Sequence, residues 1–222
     1  MILYSYFRSS AAFRVRTALH LKGLSFEYRA VHLLKKGGEQ YAPGYLALNP
    51  IGEVPCLVHQ GRALAQSVAI LSYLDELGAS PRLFPGAPMD RARVLQFCEN
   101  INAGIHPLQN LKVLKRLQSQ WGAGEAETNQ WAAHWIRRGF EGLEKFLEAT
   151  AGTYCFGGQL TAADLFLVPQ AFNAHRYGVS LTAFPHIRRI VTTCLGLDAF
   201  RKAHPYRQPD TPDDLKNAPL EF

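Results

Sequence analysis

The sequence contains no C-x-x-C pair: its four cysteines, Cys56, Cys98, Cys155 and Cys194, are scattered along 222 residues. That spacing argues against a disulfide framework and against a zinc site, so no metal ligands are assigned. It fits a reducing compartment, and a cytoplasmic location is expected. No run approaches the roughly 18 apolar residues that a membrane-spanning helix requires. The N-terminus lacks the apolar core and cleavage signal of a secreted precursor, so a soluble, unprocessed chain without a membrane partner is expected. Internal repeats and low-complexity tracts are also absent. The formal net charge is +6, but the Lys and Arg residues are dispersed rather than gathered into a stripe. This argues against a nucleic-acid partner and leaves a mild field suited to steering a small anionic substrate.

At 47% hydrophobic and 19% charged, the composition is that of globular protein with one large or two small domains. Residues 1–80 alternate strand and helix. A β-branched and aromatic run from Ile2 to Tyr6 breaks at Arg8-Ser9-Ser10, and a helix follows with Val15, Ala18 and Leu19 on one face. Two hydroxyls thus stand at a strand-to-helix turn. They either cap the helix or sit where unpaired N–H groups and the helix dipole stabilise a bound anion or thiolate. A strand is predicted over Phe26–Leu33, then a helix ending near Leu48, two strands around a turn at Gly61, and a helix from Ser67 to Leu77. Pro55 falls inside what reads as a central strand, where proline removes a ladder donor. Either Val54-Pro55 is a cis turn at the strand start, leaving the Val54 backbone for an extended ligand, or the strand is an edge.

Residues 81–90 (SPRLFPGAPMD with its flank) read as a linker. Residues 91–222 read as an all-helical domain. Its first helix carries Val94, Cys98, Ile101 and Ile105 and is ended or kinked at Pro107; its second carries Trp135, Phe140, Leu143 and Leu147. The third opens on Thr161-Ala-Ala-Asp164, a capping-box pattern that assigns Asp164 to folding rather than to catalysis, and its apolar stretch LFLVPQAF reads as the buried centre. A fourth starts at Pro185. The proline-rich segment from His204 is expected to run extended over the surface.

LYSYFRSS, RVRTALHLKGL, ALNPIGEVPCL, QSVAILSYLDE, PLQNLKVLK, TAADLFLVPQ and HPYRQPDTP cover essentially the whole chain. In all of them it resembles the zeta class of the glutathione transferases. The resemblance implies an α/β plus all-α architecture: an N-terminal thioredoxin-like, glutathione-binding domain followed by a C-terminal helical bundle that binds substrate. It implies glutathione as cofactor and a homodimer in which the first domain faces the partner's helical domain. It also implies glutathione-assisted cis–trans isomerisation of a maleyl double bond conjugated to a ketone, with maleylacetoacetate as substrate. Maleylpyruvate is the alternative substrate, and a non-catalytic ligand-binding member of the fold is the alternative class. By similarity Ser9, with Ser10 beside it, addresses the glutathione sulfur. Gln66 and Ser67 match the pair at the γ-glutamyl carboxylate, Val54 the residue pairing with the cysteinyl backbone, Gln40 the glycyl end, and Asn110 the helical-domain wall. Arg176 matches an arginine for a substrate carboxylate, a task its forked guanidinium suits. Arg8 either anchors a carboxylate or is a solvated turn residue. His106 stands where glutamine is expected, either as a substrate contact or as a polar residue before Pro107. The class signature continues Ser-Ser-Cys, whereas here it reads Ser9-Ser10-Ala11. Chemistry that needs that cysteine therefore does not carry over.

Overall fold

The computed structural model describes residues 1–220. The chain divides into two compact units, one formed by Met1–Leu83 together with the segment beginning at Leu195, the other by Phe84–Cys194. The first unit runs β1 (Ile2–Ser5), α1 (Ser10–Leu21), β2 (Glu27–Ala30), α2 (Pro43–Leu46), β3 (Cys56–His59), β4 (Arg62–Ala65) and α3 (Ser67–Glu76). Its sheet has the order β2-β1-β3-β4. β1 lies parallel to β2 and antiparallel to β3, with Tyr4 opposite Cys56; β3 is antiparallel to β4, with Cys56 opposite Ala65. The carboxyl ends of β1 and β4 and the start of β3 therefore coincide at one end of the sheet. The Val54–Pro55 peptide is cis and the ladder begins only at Cys56, so Pro55 costs the sheet no hydrogen bond.

The second unit contains α4 (Pro88–Asn102), a 3₁₀ turn at His106–Gln109, α5 (Leu111–Trp121), α6 (Glu125–Thr150), α7 (Ala162–Arg176) and α8 (Pro185–Leu195). Every residue from Ala162 to Ala174 is buried, which makes α7 the centre of the unit. Thr161 and Asp164 form the expected capping box: the Asp164 carboxylate accepts from the Thr161 and Cys155 N–H groups, each at 2.8 Å. Ile105 packs against α6 at Gly139, where a Cβ would lie 2.2 Å from the Ile105 Cδ1. α5 was not distinguished in the sequence reading although Leu111, Leu114 and Leu117 recur at helical spacing; in the structure it buries only Leu114.

Two expectations need correction. The segment from Leu195 does not belong to the helical unit, and its part from His204 does not run simply extended over the surface. It forms α9 (Asp198–Ala203) and a 3₁₀ turn (Pro205–Arg207), and Ala203, His204, Pro205, Gln208 and Thr211 are buried in the first unit. Polar groups hold it there: the fully buried Arg16 donates Nε–H to the Ala203 carbonyl at 3.0 Å, and Asp210 accepts from Phe7 N–H and the Tyr28 hydroxyl. Residues 221 and 222 of the tail lie outside the described residues. The start of the linker is likewise tied down. Lys22 Nζ binds Asp75 (2.9 Å) and the Ala79 and Pro81 carbonyls, while Asp75 accepts from Leu83 N–H.

Candidate active site

The loops that leave the shared end of the sheet carry Ser9, Val54 and Gln66. Ser9 is the N-cap of α1, with extended backbone, and its Oγ accepts from Ala12 N–H at 3.2 Å. A hydroxyl used this way as acceptor keeps its own hydrogen for a second partner. The residue is half-buried, whereas Ser10, the first helical residue, is buried. One turn further, Arg14 is fully buried and donates Nη1–H to Ser67 Oγ at 3.0 Å, tying α1 to the first residue of α3. Gln66 caps α3 with φ 69°, a left-handed conformation costing a non-glycine residue about 1–3 kcal/mol, and its side chain does not bond the helix. Two helix N-termini and a buried guanidinium thus face one region, which is an electrostatic setting for anions.

The Glu53 carbonyl, one residue before Val54, accepts from the Tyr45 hydroxyl (2.5 Å) and Asn49 Nδ2 (2.7 Å), which fixes the peptide leading into the cis bond. Gln40 is only 4% exposed, and its Oε1 has no hydrogen-bond partner among the described residues. Gly38, at φ 114°, makes room for it: a Cβ there would lie 2.6 Å from Gln40 Nε2. A buried orphan acceptor costs about 1–3 kcal/mol, which a ligand donor would recover. The half-buried Arg8 holds its guanidinium carbon 5.9 Å from the centre of the Phe7 ring.

In the second unit, His106 opens the 3₁₀ turn and Asn110 caps α5, its Oδ1 accepting from Lys112 N–H, with Asn110 Nδ2 3.4 Å from His106 Nε2. Gln109 Nε2 donates to Gln170 Oε1 at 3.3 Å and joins that turn to α7. Arg176 ends α7. Its Nη1 donates to Asn173 Oδ1 at 3.1 Å, and its guanidinium stacks 5.2 Å from the Tyr177 ring centre. Ser9, Ser10, Gln40, Val54, Gln66 and Ser67 all lie in the first unit, where the Gln40 backbone carbonyl packs on Gly52, 3.3 Å from where a Cβ would lie. His106 is paired with Asn110 in the other unit.

The sequence reading missed Arg14 and Arg16, which are fully buried charges on α1. The sequence carries no local signal for this burial, because with Val15 facing the core both arginines lie on the opposite half of α1, where they read as solvated cations. Burial lowers the Arg16 pKa to about 10, opposed by Tyr28 and Asp210. The described cysteines are all buried, and burial raises the thiol pKa values of Cys56, Cys155 and Cys194. These three are therefore not low-pKa nucleophiles.

A thioredoxin-like sheet of order β2-β1-β3-β4, followed by a helical unit built on a capped central helix, is the architecture of a glutathione transferase. The chain belongs to that family: residues 1–76 match Glutathione S-transferase, N-terminal domain, and residues 125–206 match Glutathione S-transferase, C-terminal domain. Within it the similarity is to the zeta class and its isomerases. The chain is 46% identical over 215 residues to maleylacetoacetate isomerase of Mus musculus, covering 97% of each sequence. It superimposes with TM-score 0.92 on holo maleyl pyruvate isomerase, a bacterial zeta-class glutathione S-transferase, at 41% identity, covering 96% of this chain and 100% of that one. With maleylacetoacetate isomerase from Methylobacterium extorquens, bound to malonate and GSH, the TM-score is 0.91 at 36% identity, over 96% and 100% of the two chains.

Proposed function

We propose that the protein is a glutathione-dependent cis–trans isomerase converting maleylacetoacetate to fumarylacetoacetate. The observation that carries this reading is the half-buried Ser9 hydroxyl, which accepts from the N–H of the helix it caps and so keeps its own hydrogen for a second partner, on the same helix whose buried Arg14 donates to Ser67 at the start of α3. The buried, unmet Gln40 Oε1 and the Ser67 end of α3 fit the two ends of an anionic tripeptide. Bound glutathione supplies a thiolate that adds reversibly to the maleyl double bond, permits rotation about it and departs unchanged.

The chain's own residues then have defined tasks. Ser9, seconded by Ser10, donates to the sulfur and favours its anion. A free cysteine-type thiol has a pKa of ~8.5, and lowering it by roughly two units needs about 2.7 kcal/mol. One hydrogen bond to a charged acceptor contributes ~1.5–3 kcal/mol and a helix N-terminus ~0.3–1 kcal/mol, so the pair suffices. Gln66 and Ser67 take the γ-glutamyl carboxylate at the start of α3, Val54 pairs with the cysteinyl backbone, Gln40 meets the glycyl end, and Asn110 contributes from α5. Arg176 takes a substrate carboxylate, oriented by Asn173 and Tyr177. Arg8 adds positive charge where the enolate forms, and His106 borders the substrate. Nothing in this sequence of tasks uses a protein thiol, so Ala11 leaves it intact. We also propose a homodimer and a cytoplasmic location; among the described residues no helix is long and apolar enough to cross a membrane.

Maleylpyruvate is the second reading, favoured by the 0.92 TM-score to an isomerase of that name. Parallel steady-state assays on the two substrates decide between them. A higher kcat/KM for maleylacetoacetate supports the proposal, and the reverse preference transfers the enzyme to maleylpyruvate.

A further inference from the structure

The segment that carries Ser9 is held by two opposite charges on the backbone of one residue. Phe7 N–H donates to Asp210 Oδ2 at 2.9 Å, and the Phe7 carbonyl accepts from Arg16 Nη2 at 3.0 Å. Arg16 Nη1 also reaches the Tyr6 carbonyl (3.2 Å) and Ser5 Oγ (3.0 Å), and the Tyr6 carbonyl in turn accepts from Ser9 N–H at 3.0 Å. The two ions therefore fix the backbone on both sides of Phe7, two residues before the hydroxyl.

Asp210 reaches this position from the far end of the chain, and its own geometry is over-determined. Oδ1 accepts from the Tyr28 hydroxyl at 2.6 Å. The turn that presents it is closed by Thr211, whose Oγ1 donates to the Pro205 carbonyl and accepts from Gln208 N–H, and by Gln208 Nε2, which bonds the Lys202 and His204 carbonyls at 2.8 Å. Leu215 packs on the apolar cluster containing Tyr6, Phe7, Val54 and Cys56, so the same segment covers the underside of the Val54 loop. Stability alone does not explain this arrangement. A tail docked for stability would serve with apolar contacts, whereas here a carboxylate and a guanidinium converge on the backbone of one residue, and charge-assisted bonds of that kind are the stronger and more directional ones.

We propose that Asp210, acting with Arg16 through the Phe7 peptide, is a positioning residue for the Ser9 hydroxyl: the C-terminal segment sets the geometry of thiolate stabilisation. The inference rests on the reading of Ser9 as the group that addresses the sulfur. Loss of the carboxylate frees the Phe7 amide and removes the negative partner of a buried arginine. The Ser9 hydroxyl then loses alignment while the groups proposed for the two ends of glutathione stay in place.

The test is the ionisation of the bound thiol, followed by ultraviolet thiolate absorbance against pH, together with kcat and the KM for glutathione. Asp210→Ala is expected to raise the apparent thiol pKa by about one unit, from ~6.5 to ~7.5, and so to lower kcat at neutral pH about threefold, with KM changed less than kcat. Tyr28→Phe, which removes one anchor of the carboxylate, shifts both in the same direction by less. Lys22→Met breaks the buried pair with Asp75 in the same unit and serves as the stability control: it lowers the melting temperature and leaves the thiol pKa where it was. The proposal is overturned if Asp210→Ala melts early like Lys22→Met but keeps the native pKa and kcat. Should Asp210→Ala fail to fold, Asp210→Asn and Tyr28→Phe decide on the same readouts. Ser9→Ala separates the two levels. If it leaves the thiol pKa unchanged, the reading of Ser9 fails; if it raises the pKa while the Asp210 and Tyr28 variants do not, only the role of Asp210 fails.

Discussion

Replacing Ser9 by alanine separates catalysis from folding in a way the geometry makes quantitative. The hydroxyl has two partners in this account: the Ala12 N–H it accepts from at 3.2 Å, and the glutathione sulfur it donates to. Losing the first removes an N-cap, worth about 1 kcal/mol of stability. Losing the second removes a hydrogen bond to a charged acceptor, ~1.5–3 kcal/mol, which corresponds to an upward shift of about 1–2 units in the bound thiol pKa. At neutral pH the thiolate fraction, and with it kcat, falls about 3- to 25-fold from a starting pKa of ~6.5, while glutathione affinity, set by the carboxylate ends, changes little. Ser9→Thr keeps the hydroxyl and is expected to retain both functions better. The assay is a pH–rate profile of isomerisation at saturating glutathione, with thermal melting in parallel. A Ser9→Ala enzyme that melts about as expected for a lost cap but keeps the native pH–rate profile refutes the assignment.

Arg176→Lys keeps the charge and loses the planar fork, so the KM for the maleyl substrate is expected to rise, by about tenfold per 1.4 kcal/mol lost, with the KM for glutathione unmoved; equal rises in both contradict the role. Asp164→Ala orphans two buried N–H groups, those of Thr161 and Cys155, and is expected to cost about 2–5 kcal/mol in denaturant unfolding, with Asn in its place costing less. His204 is wholly buried, and burial lowers its pKa from 6.5 to about 3. The folded protein therefore keeps it neutral while the unfolded chain protonates below 6.5. Its contribution to stability is complete above that value and declines as pH falls toward about 3, by ~2.7 kcal/mol over the first two pH units or so. His204→Asn, whose carbonyl can stand in for the ring nitrogen that accepts from Tyr206 N–H, should flatten that acid limb of the stability curve. Because Ala11 replaces the signature cysteine and the four thiols are buried, a thiol reagent should leave the native enzyme active and react with all four only after unfolding. Rapid inactivation of the folded enzyme would point to an accessible thiol.

What was legible in the sequence was local. The Ser-Ser break fixed the start of α1, because a β-branched run cannot continue through it into a 3.6-residue repeat. Thr161 with Asp164 announced their capping box. Pro55 left two readings open, a cis turn at the strand start or an edge strand, and the cis peptide before an inner strand that begins at Cys56 decides for the first. The missed features are long-range or depend on which face of a helix is covered. Arg14 and Arg16 look like solvent-facing cations until α3 and α9 cover them. Pro, Asp and Gln in the tail resemble surface composition, yet Gln208 and Asp210 spend their polar atoms on the tail's own turns, on Phe7 and on Tyr28. α5, by contrast, was legible and was missed: Leu111, Leu114, Leu117 and Trp121 recur at helical spacing along a strongly amphipathic segment. At the candidate site, family likeness supplied the residue list, while the structure added what lies behind it: the cation beneath Ser67 and the unmet acceptor of Gln40.

The most direct measurement is isomerisation of maleylacetoacetate, followed spectrophotometrically with and without glutathione, with the free thiol quantified before and after complete conversion. The account predicts turnover only when glutathione is present, many product molecules formed per glutathione, and the thiol concentration unchanged at the end. Turnover without glutathione, or one thiol consumed for each substrate converted, would contradict it.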